Sequence, residues 1–465
     1  MSQIPRIPET TLALHLSRRR GQPIATATRE RLAQAMLDWF TAGWSASGTA
    51  AADRYRRVAQ DCHPGPGPAP VFGGASMHSN GAAFANAGIA HIREIDDAHR
   101  AAMLHPGVVS ITPALALAAA GGLTRRLAAD AVIAGYEASL RIGEALGAGH
   151  AAGFHATATA GAIGAAAAAG VALGLEGERL HHALGIAATQ AAGLWQMADD
   201  GAHESKSLHP AFAVRNGLAA AYAARAGLPG ALRYVTGARG LYRLLGGDGP
   251  LEALEALDGG LDAPERLNTA TIKAWPCCAQ LFTPLDAIRD LLDAHGTTPG
   301  EIEAVDIEIY THALKIAGVD WPARPAETCF SLRYVAGRLL LAGKLGIEDM
   351  EAPDLGAADL LAMAGRITVR TSDAFQREFP QLRPSRVTLT LKNGRKLDTL
   401  RKLRRGDPED PYTWTALQAR MRAFAPAMDD AAARAIAAWC EGFADAGRDD
   451  EVCAPPPALF GGPAR

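Results

Sequence analysis

The chain has 465 residues, about three times a typical single-domain length, so two or three domains are expected and each can bury a core of its own. Lys and Arg number 46 against 49 Asp and Glu, a formal net charge of −3 that excludes a global attraction to nucleic acid or to an anionic membrane. Six cysteines, scattered from Cys62 to Cys453, do not make a disulfide framework and point to a reducing, cytoplasmic setting.

In chain order, Met1 to Arg20 has no long apolar core before Arg18-Arg19-Arg20, so no signal peptide is expected. From about Thr26 to Gly260 the pattern is helical almost throughout, punctuated by Gly and Pro. Cys62 to Pro70 is read as a loop between early helices, because proline lacks the amide donor and glycine resists ordering. Thr124 is the expected N-cap of a helix that carries Leu127, Ala131, Ala134, Ala138 and Ile142 on one face and stops at Gly147. Ala156 to Leu175 is apolar but built of Ala, Gly and Thr, too weak in transfer free energy for a membrane span. A buried helix with closely approaching neighbours is expected there instead.

Past Asn268 the period changes. Val305, Ile307 and Ile309 alternate with polar neighbours as in a half-buried strand, and Ile367 and Val369 suggest another. Val387 to Leu391, then Asn393-Gly394, then Lys396 to Leu400 read as a hairpin whose turn takes positive φ at both Asn and Gly. Helices are expected at Pro284 to His295, Ser331 to Leu345 and Trp414 to Gly447. The fold class is therefore mainly α: a large all-helical domain built from both chain ends, 1–267 and 401–465, with a smaller α+β lid domain at 268–400.

Four polar clusters interrupt this apolar background. The first runs from Ala90 to His99 and on to His105-Pro-Gly107; it is either a solvated helix end or an acid–base site. The second, Gly153-Phe-His155, opens a very apolar helix whose N-terminal amides favour an anion. The third, His203 to His209, places Lys206 between helical stretches, where a buried ammonium needs an anion. The fourth is Lys273-Ala-Trp-Pro276-Cys277-Cys278. No second Cys-x-x-Cys pair accompanies these cysteines and His181-His182 has no carboxylate partner pattern, so no metal is expected. No strand precedes Gly161-x-x-Gly164, and no Gly-x-Ser-x-Gly or Walker sequence occurs, so nicotinamide, serine-hydrolase and nucleotide-hydrolase readings fall away.

These clusters, in this order, resemble the MmgE/PrpD family, which includes 2-methylcitrate dehydratase, cis-aconitate decarboxylase and iminodisuccinate epimerase. The pieces that carry the likeness are Ala82-Ala-Phe-Ala-Asn86 with Asp96-Asp97 and His105-Pro-Gly107; Gly153-Phe-His155; Ser205-Lys206-x-Leu-His209; Lys273-x-x-Pro-Cys-Cys278; and Gly406-Asp-Pro408-Glu-Asp-Pro411. The resemblance implies a helical domain with an α+β lid, a homodimer, and no cofactor. It implies catalytic roles for His105, His155, Lys206, Lys273 and Asp97, and contact with substrate for Glu94, Tyr334 and His209; Cys278 is placed with the substrate-binding set, a small buried hydrophobe being its other role.

The expected activity is that of a lyase, a dehydratase removing a proton α to a carboxylate of a small di- or tricarboxylate held between the two domains. Both lysines would meet the charge of the enolate, one of His105 and His155 would be base and the other acid, and Asp97 would orient a histidine. Epimerisation and decarboxylation use the same groups. Relatives carry a histidine soon after Lys-x-x-Pro where this chain has Cys277-Cys278, and an epimerase has no need of a leaving-group acid. A non-catalytic carboxylate-binding protein is the reading from another class, and retention of both lysines and both histidines speaks against it.

Overall fold

The structure, a computed structural model, describes residues 7–255 and 265–461; the end of the helical run expected up to Gly260 lies outside them. The fold is mainly α, 58% helical, with only small sheets. It forms two compact units, Met1–Ile92 with Asp96–Thr271 and Trp414–Arg465, and Arg93–Ile95 with Ile272–Thr413.

The first unit contains α1 (Pro8–Arg19), α2 (Thr26–Ala46), α3 (Ala50–Cys62), α4 (Ser79–His91), α5 (Pro106–Ala119), α6 (Arg125–Ala151), α7 (Ala156–Ala172), α8 (Gly177–Ala188), the single turn α9 (Gln196–Asp199) and α10 (Leu208–Arg225). Helix α7 is its centre, packed on α5, α6, α8 and α10, and every one of its residues is buried. Small residues make this possible. A Cβ on Gly164 would lie 2.6 Å from Ser139 Cβ of α6, and one on Gly217 of α10 would lie 2.6 Å from Ala165 Cβ of α7, so the backbones meet almost directly. The Ala- and Gly-rich stretch is thus the buried helix its composition predicts. Among the described residues no helix is long and apolar enough to cross a membrane.

Thr124 caps α6 as expected, its hydroxyl accepting from Leu127 N at 3.2 Å. Gly147, the expected stop, takes φ 69° and kinks the chain, but helix resumes beyond it to Ala151. One correction concerns a loop. Pro66–Val71 is a strand, β1, paired antiparallel with β2 (Gly74–Met77). Proline is compatible with extended backbone, and a two-stranded ribbon leaves one edge with no ladder to fill, so Pro66, Pro68 and Pro70 cost only an irregular register. Asn86 of α4 fastens this ribbon, accepting from Phe72 N at 3.0 Å and donating to Pro70 O at 2.9 Å. The stretch from Trp414 is helical as expected, in two helices, Trp414–Phe424 and Asp430–Glu441, because Pro426 ends the first and Asp429 caps the second, accepting from Ala432 N at 2.7 Å. They join α2 through Phe40 against Trp439, with ring centroids 5.6 Å apart, and through a buried Arg420–Asp38 ion pair at 2.8 Å.

The second unit holds a four-stranded sheet in the order β4–β3–β5–β6: β3 (Ile302–Ile309), β4 (Ile367–Thr371), β5 (Ser385–Leu391) and β6 (Lys396–Arg401). Only β3–β4 is parallel. Val305, Ile307 and Ile309 face the same core as Val387, Leu389 and Leu391, beneath helices Phe282–His295 and Leu332–Ala342. The hairpin forms where the sequence places it, but its turn differs. Leu391 and Arg395 close a three-residue loop in which only Gly394 takes positive φ, at 84°, because the Asn393 side chain accepts from Arg395 N instead.

Asp286 in this unit accepts from Trp275 Nε1 at 2.8 Å and from Arg405 N at 2.9 Å, and burial pushes its carboxyl up to about 6. Because the folded value lies above the unfolded one, this group favours the fold at low pH and loses that advantage as pH rises from about 4 to about 6. Urea unfolding of the wild type against Asp286→Asn should show a difference in pH dependence of about 3 kcal/mol across that window. Identical pH profiles would mean that the carboxyl is ionised throughout.

Candidate active site

Four short segments of the first unit bring imidazoles together. His91 ends α4, His105 is the N-cap of α5, His155 is the N-cap of α7, and His209 lies in the first turn of α10. Ring centroids of His91 lie 4.6 Å from His105 and 5.6 Å from His155; His105 and His155 are 6.0 Å apart, and His209 is 5.3 Å from His155. His105 N donates to Thr157 Oγ1 at 3.1 Å, which ties the start of α5 to the first turn of α7. The cluster from Ala90 to His99 is therefore no solvated helix end: His91, Asp96, Asp97 and His99 are all buried.

The carboxylate against the rings belongs to Asp96. Its Oδ2 lies 2.8 Å from His91 Nδ1 and 3.3 Å from His105 Nδ1. Burial opposes ionisation of Asp96, but the two imidazoles outweigh it and hold the carboxyl well below its ordinary range. Asp97, the expected orienting residue, meets His105 only through its backbone carbonyl, which accepts from Nδ1 at 2.9 Å. Its side chain points elsewhere, accepting from Gly107 N at 2.8 Å and Tyr136 OH at 2.6 Å. Burial and the charge of Asp38 raise the Asp97 carboxyl above the ordinary range.

His155 has no such carboxylate. Burial, then the Lys206 ammonium and the other imidazoles, keep it well below the ordinary histidine value and therefore neutral. His209, whose Nδ1 lies 3.1 Å from His155 Nδ1, is pushed down to about 4 by burial, His91 and Lys206. Lys206 itself sits in the 3-10 turn His203–Ser207, half-buried, with Nζ 5.8 Å from the centroid of Trp195, and that indole packs on His155 at 4.8 Å.

The remaining expected residues lie in the second unit. Lys273 is buried and donates from Nζ to Glu94 O at 2.5 Å, with Glu94 Oε2 at 3.9 Å; Glu94 takes φ 57°. Cys278, half-buried, donates from its backbone N to Cys329 O at 3.0 Å. Tyr334 is buried and its hydroxyl donates to Asp349 O. The structure thus gathers His105, His155, His209, Lys206 and Asp97 in one unit and Glu94, Lys273, Cys278 and Tyr334 in the other.

Sequence reasoning missed His91 and Asp96. Their signal is a histidine five residues before an acid in an apolar helix end, a spacing that only the folded chain turns into a contact. A smaller correction concerns His182, which does have a carboxylate neighbour, Glu178, at 3.8 Å.

A sheltered acid paired with two imidazoles, a third imidazole held neutral and an ammonium nearby make up a site that can take, hold and return protons beside an anion. The chain belongs to the MmgE/PrpD family: the family's N-terminal domain pattern matches residues 10–254 and its C-terminal domain pattern matches residues 275–441. Over 200 residues it is 32% identical to the cis-aconitate decarboxylase of Aspergillus terreus, and to that of A. terreus strain NIH 2624 / FGSC A1156, covering 41% of this chain and 40% of each relative. The match spans two fifths of the length of these curated relatives.

Proposed function

We propose that the protein is a cofactor-independent lyase acting on a small di- or tricarboxylate, and that it works as a dehydratase. The observation that supports this most is the asymmetry of the imidazoles: His155 is buried beside Lys206 with no carboxylate, whereas His105 touches the Asp96 carboxylate. His155 is then the base and His105 the acid. His155 takes the proton α to a substrate carboxylate, the C–H electron pair becomes the new double bond, and the β C–O bond breaks as His105 gives its proton to the departing hydroxyl, which leaves as water. Lys206 faces the charge that builds on the carboxylate during proton loss, where a cation contributes most. Cis-aconitate decarboxylase activity is the second reading, favoured by the similarity to the Aspergillus proteins.

Incubation with a panel of di- and tricarboxylates tests the proposal. Dehydration creates an ultraviolet-absorbing alkene, decarboxylation releases carbon dioxide, and epimerisation exchanges solvent deuterium with no net change in composition. Lys206→Ala should remove most of whichever signal is found. Thermal stabilisation by a panel member with none of the three signals would replace the lyase proposal with that of a carboxylate-binding protein.

A further inference from the structure

We propose that His91, His105 and His155 form a binding site for a first-row divalent transition ion such as Zn²⁺ or Co²⁺. One nitrogen from each ring lies within 4.8 Å of the others. Three atoms so placed have a common point no more than about 2.8 Å from each, so bonds of about 2.1 Å require shifts of less than about 1 Å per ring.

Oxygens suited to a second shell stand beside two of the rings. A metal-bound imidazole is held by a carboxylate or carbonyl on its other nitrogen, which fixes the tautomer and directs the remaining lone pair at the ion. His91 has this arrangement: Nδ1 lies 2.8 Å from Asp96 Oδ2, while Nε2 is buried with no hydrogen-bond partner. A buried imidazole nitrogen without a partner is costly, and an ion would satisfy it. His105 Nδ1 is held in the same way by Asp97 O and Asp96 Oδ2. His105 is also the most exposed of the three, so the ion enters on its side. Three imidazoles with no thiolate or bound carboxylate suit Zn²⁺, Co²⁺ and Ni²⁺ and disfavour Mg²⁺ and Ca²⁺. An ion bound there takes up the lone pairs that proton transfer through His105 and His155 requires, so on the lyase reading it is an inhibitor. Ion binding itself does not depend on that reading.

Titration of the chelator-treated protein with Co²⁺, in buffer free of polycarboxylates, tests the site. One ion per chain should bind with Kd at or below about 100 μM, giving the intense visible spectrum of four-coordinate cobalt, and Zn²⁺ should displace it. His91→Gln and His105→Gln should each abolish that spectrum. Asp96→Asn, which removes no ligand, should weaken binding roughly 10- to 100-fold. Absence of saturable binding, a pale six-coordinate spectrum, or a spectrum that survives His105→Gln would overturn the site, even if His91→Gln failed to fold. If a panel substrate is turned over, chelator-treated protein should be active and Zn²⁺ should inhibit it. Turnover that requires the ion would overturn the inhibitory role. If no substrate is turned over, the spectrum still decides on the site by itself.

Discussion

Replacing His155 with glutamine should lower kcat about 10²- to 10⁴-fold, the range over which a positioned acid–base group contributes. The protein should remain folded, for a local reason. His155 is the N-cap of α7 but makes no side-chain cap bond, and its place in the chain is held by its backbone N donating to Gly193 O at 2.8 Å. A loss of turnover with an unchanged unfolding transition would place the defect in the chemistry. Turnover within a few-fold of wild type would remove His155 from the mechanism, because no other imidazole of the cluster combines complete burial with the absence of a carboxylate on its ring.

A large effect on stability is expected at Gly217. A Cβ there would lie 2.6 Å from Ala165 Cβ, 2.6 Å from Ala166 N and 2.7 Å from Ala165 C, and two of those three atoms are backbone that cannot rotate aside. Gly217→Ala should therefore destabilise by about 1–3 kcal/mol in chemical denaturation, and Gly217→Leu should prevent recovery of folded protein. Gly48→Ala is the control, since a Cβ there meets nothing within 4 Å; it should lie within about 1 kcal/mol of wild type. Equal stabilities for Gly217→Ala and Gly48→Ala would mean that α7 and α10 are not in such close contact.

Much of the fold is readable in the sequence because it is local. Thr124, the alternation around Val305 and the residues flanking Asn393-Gly394 each act on neighbours only a few positions away, and each marks its element correctly. What fails is what depends on long-range partners. Pro66–Val71 becomes a strand because β2 and Asn86 offer it hydrogen bonds, and neither is implied by its prolines. The hairpin turn is set by the Asn393 side chain bonding Arg395 N, a choice open to Asn in two different turns.

In the candidate site the histidines stand out in the sequence as polar interruptions of apolar helix. Which of the adjacent acids Asp96 and Asp97 faces them is decided by the turn between α4 and α5, where neighbouring side chains point to different partners. His91 is silent for the same reason: its importance comes from α5 and α7 closing over it. Tyr334, singled out by resemblance, is buried with its hydroxyl on the carbonyl of Asp349.

Helix α7 has no water-facing side at all. Most helices can fray or breathe toward solvent while the rest of the molecule stays closed, but α7 can reach water only when the helices around it separate. Its amide hydrogens should therefore exchange slowly. His155 is the N-cap of this helix, so the proposed base is anchored where a helix with no exposed face begins.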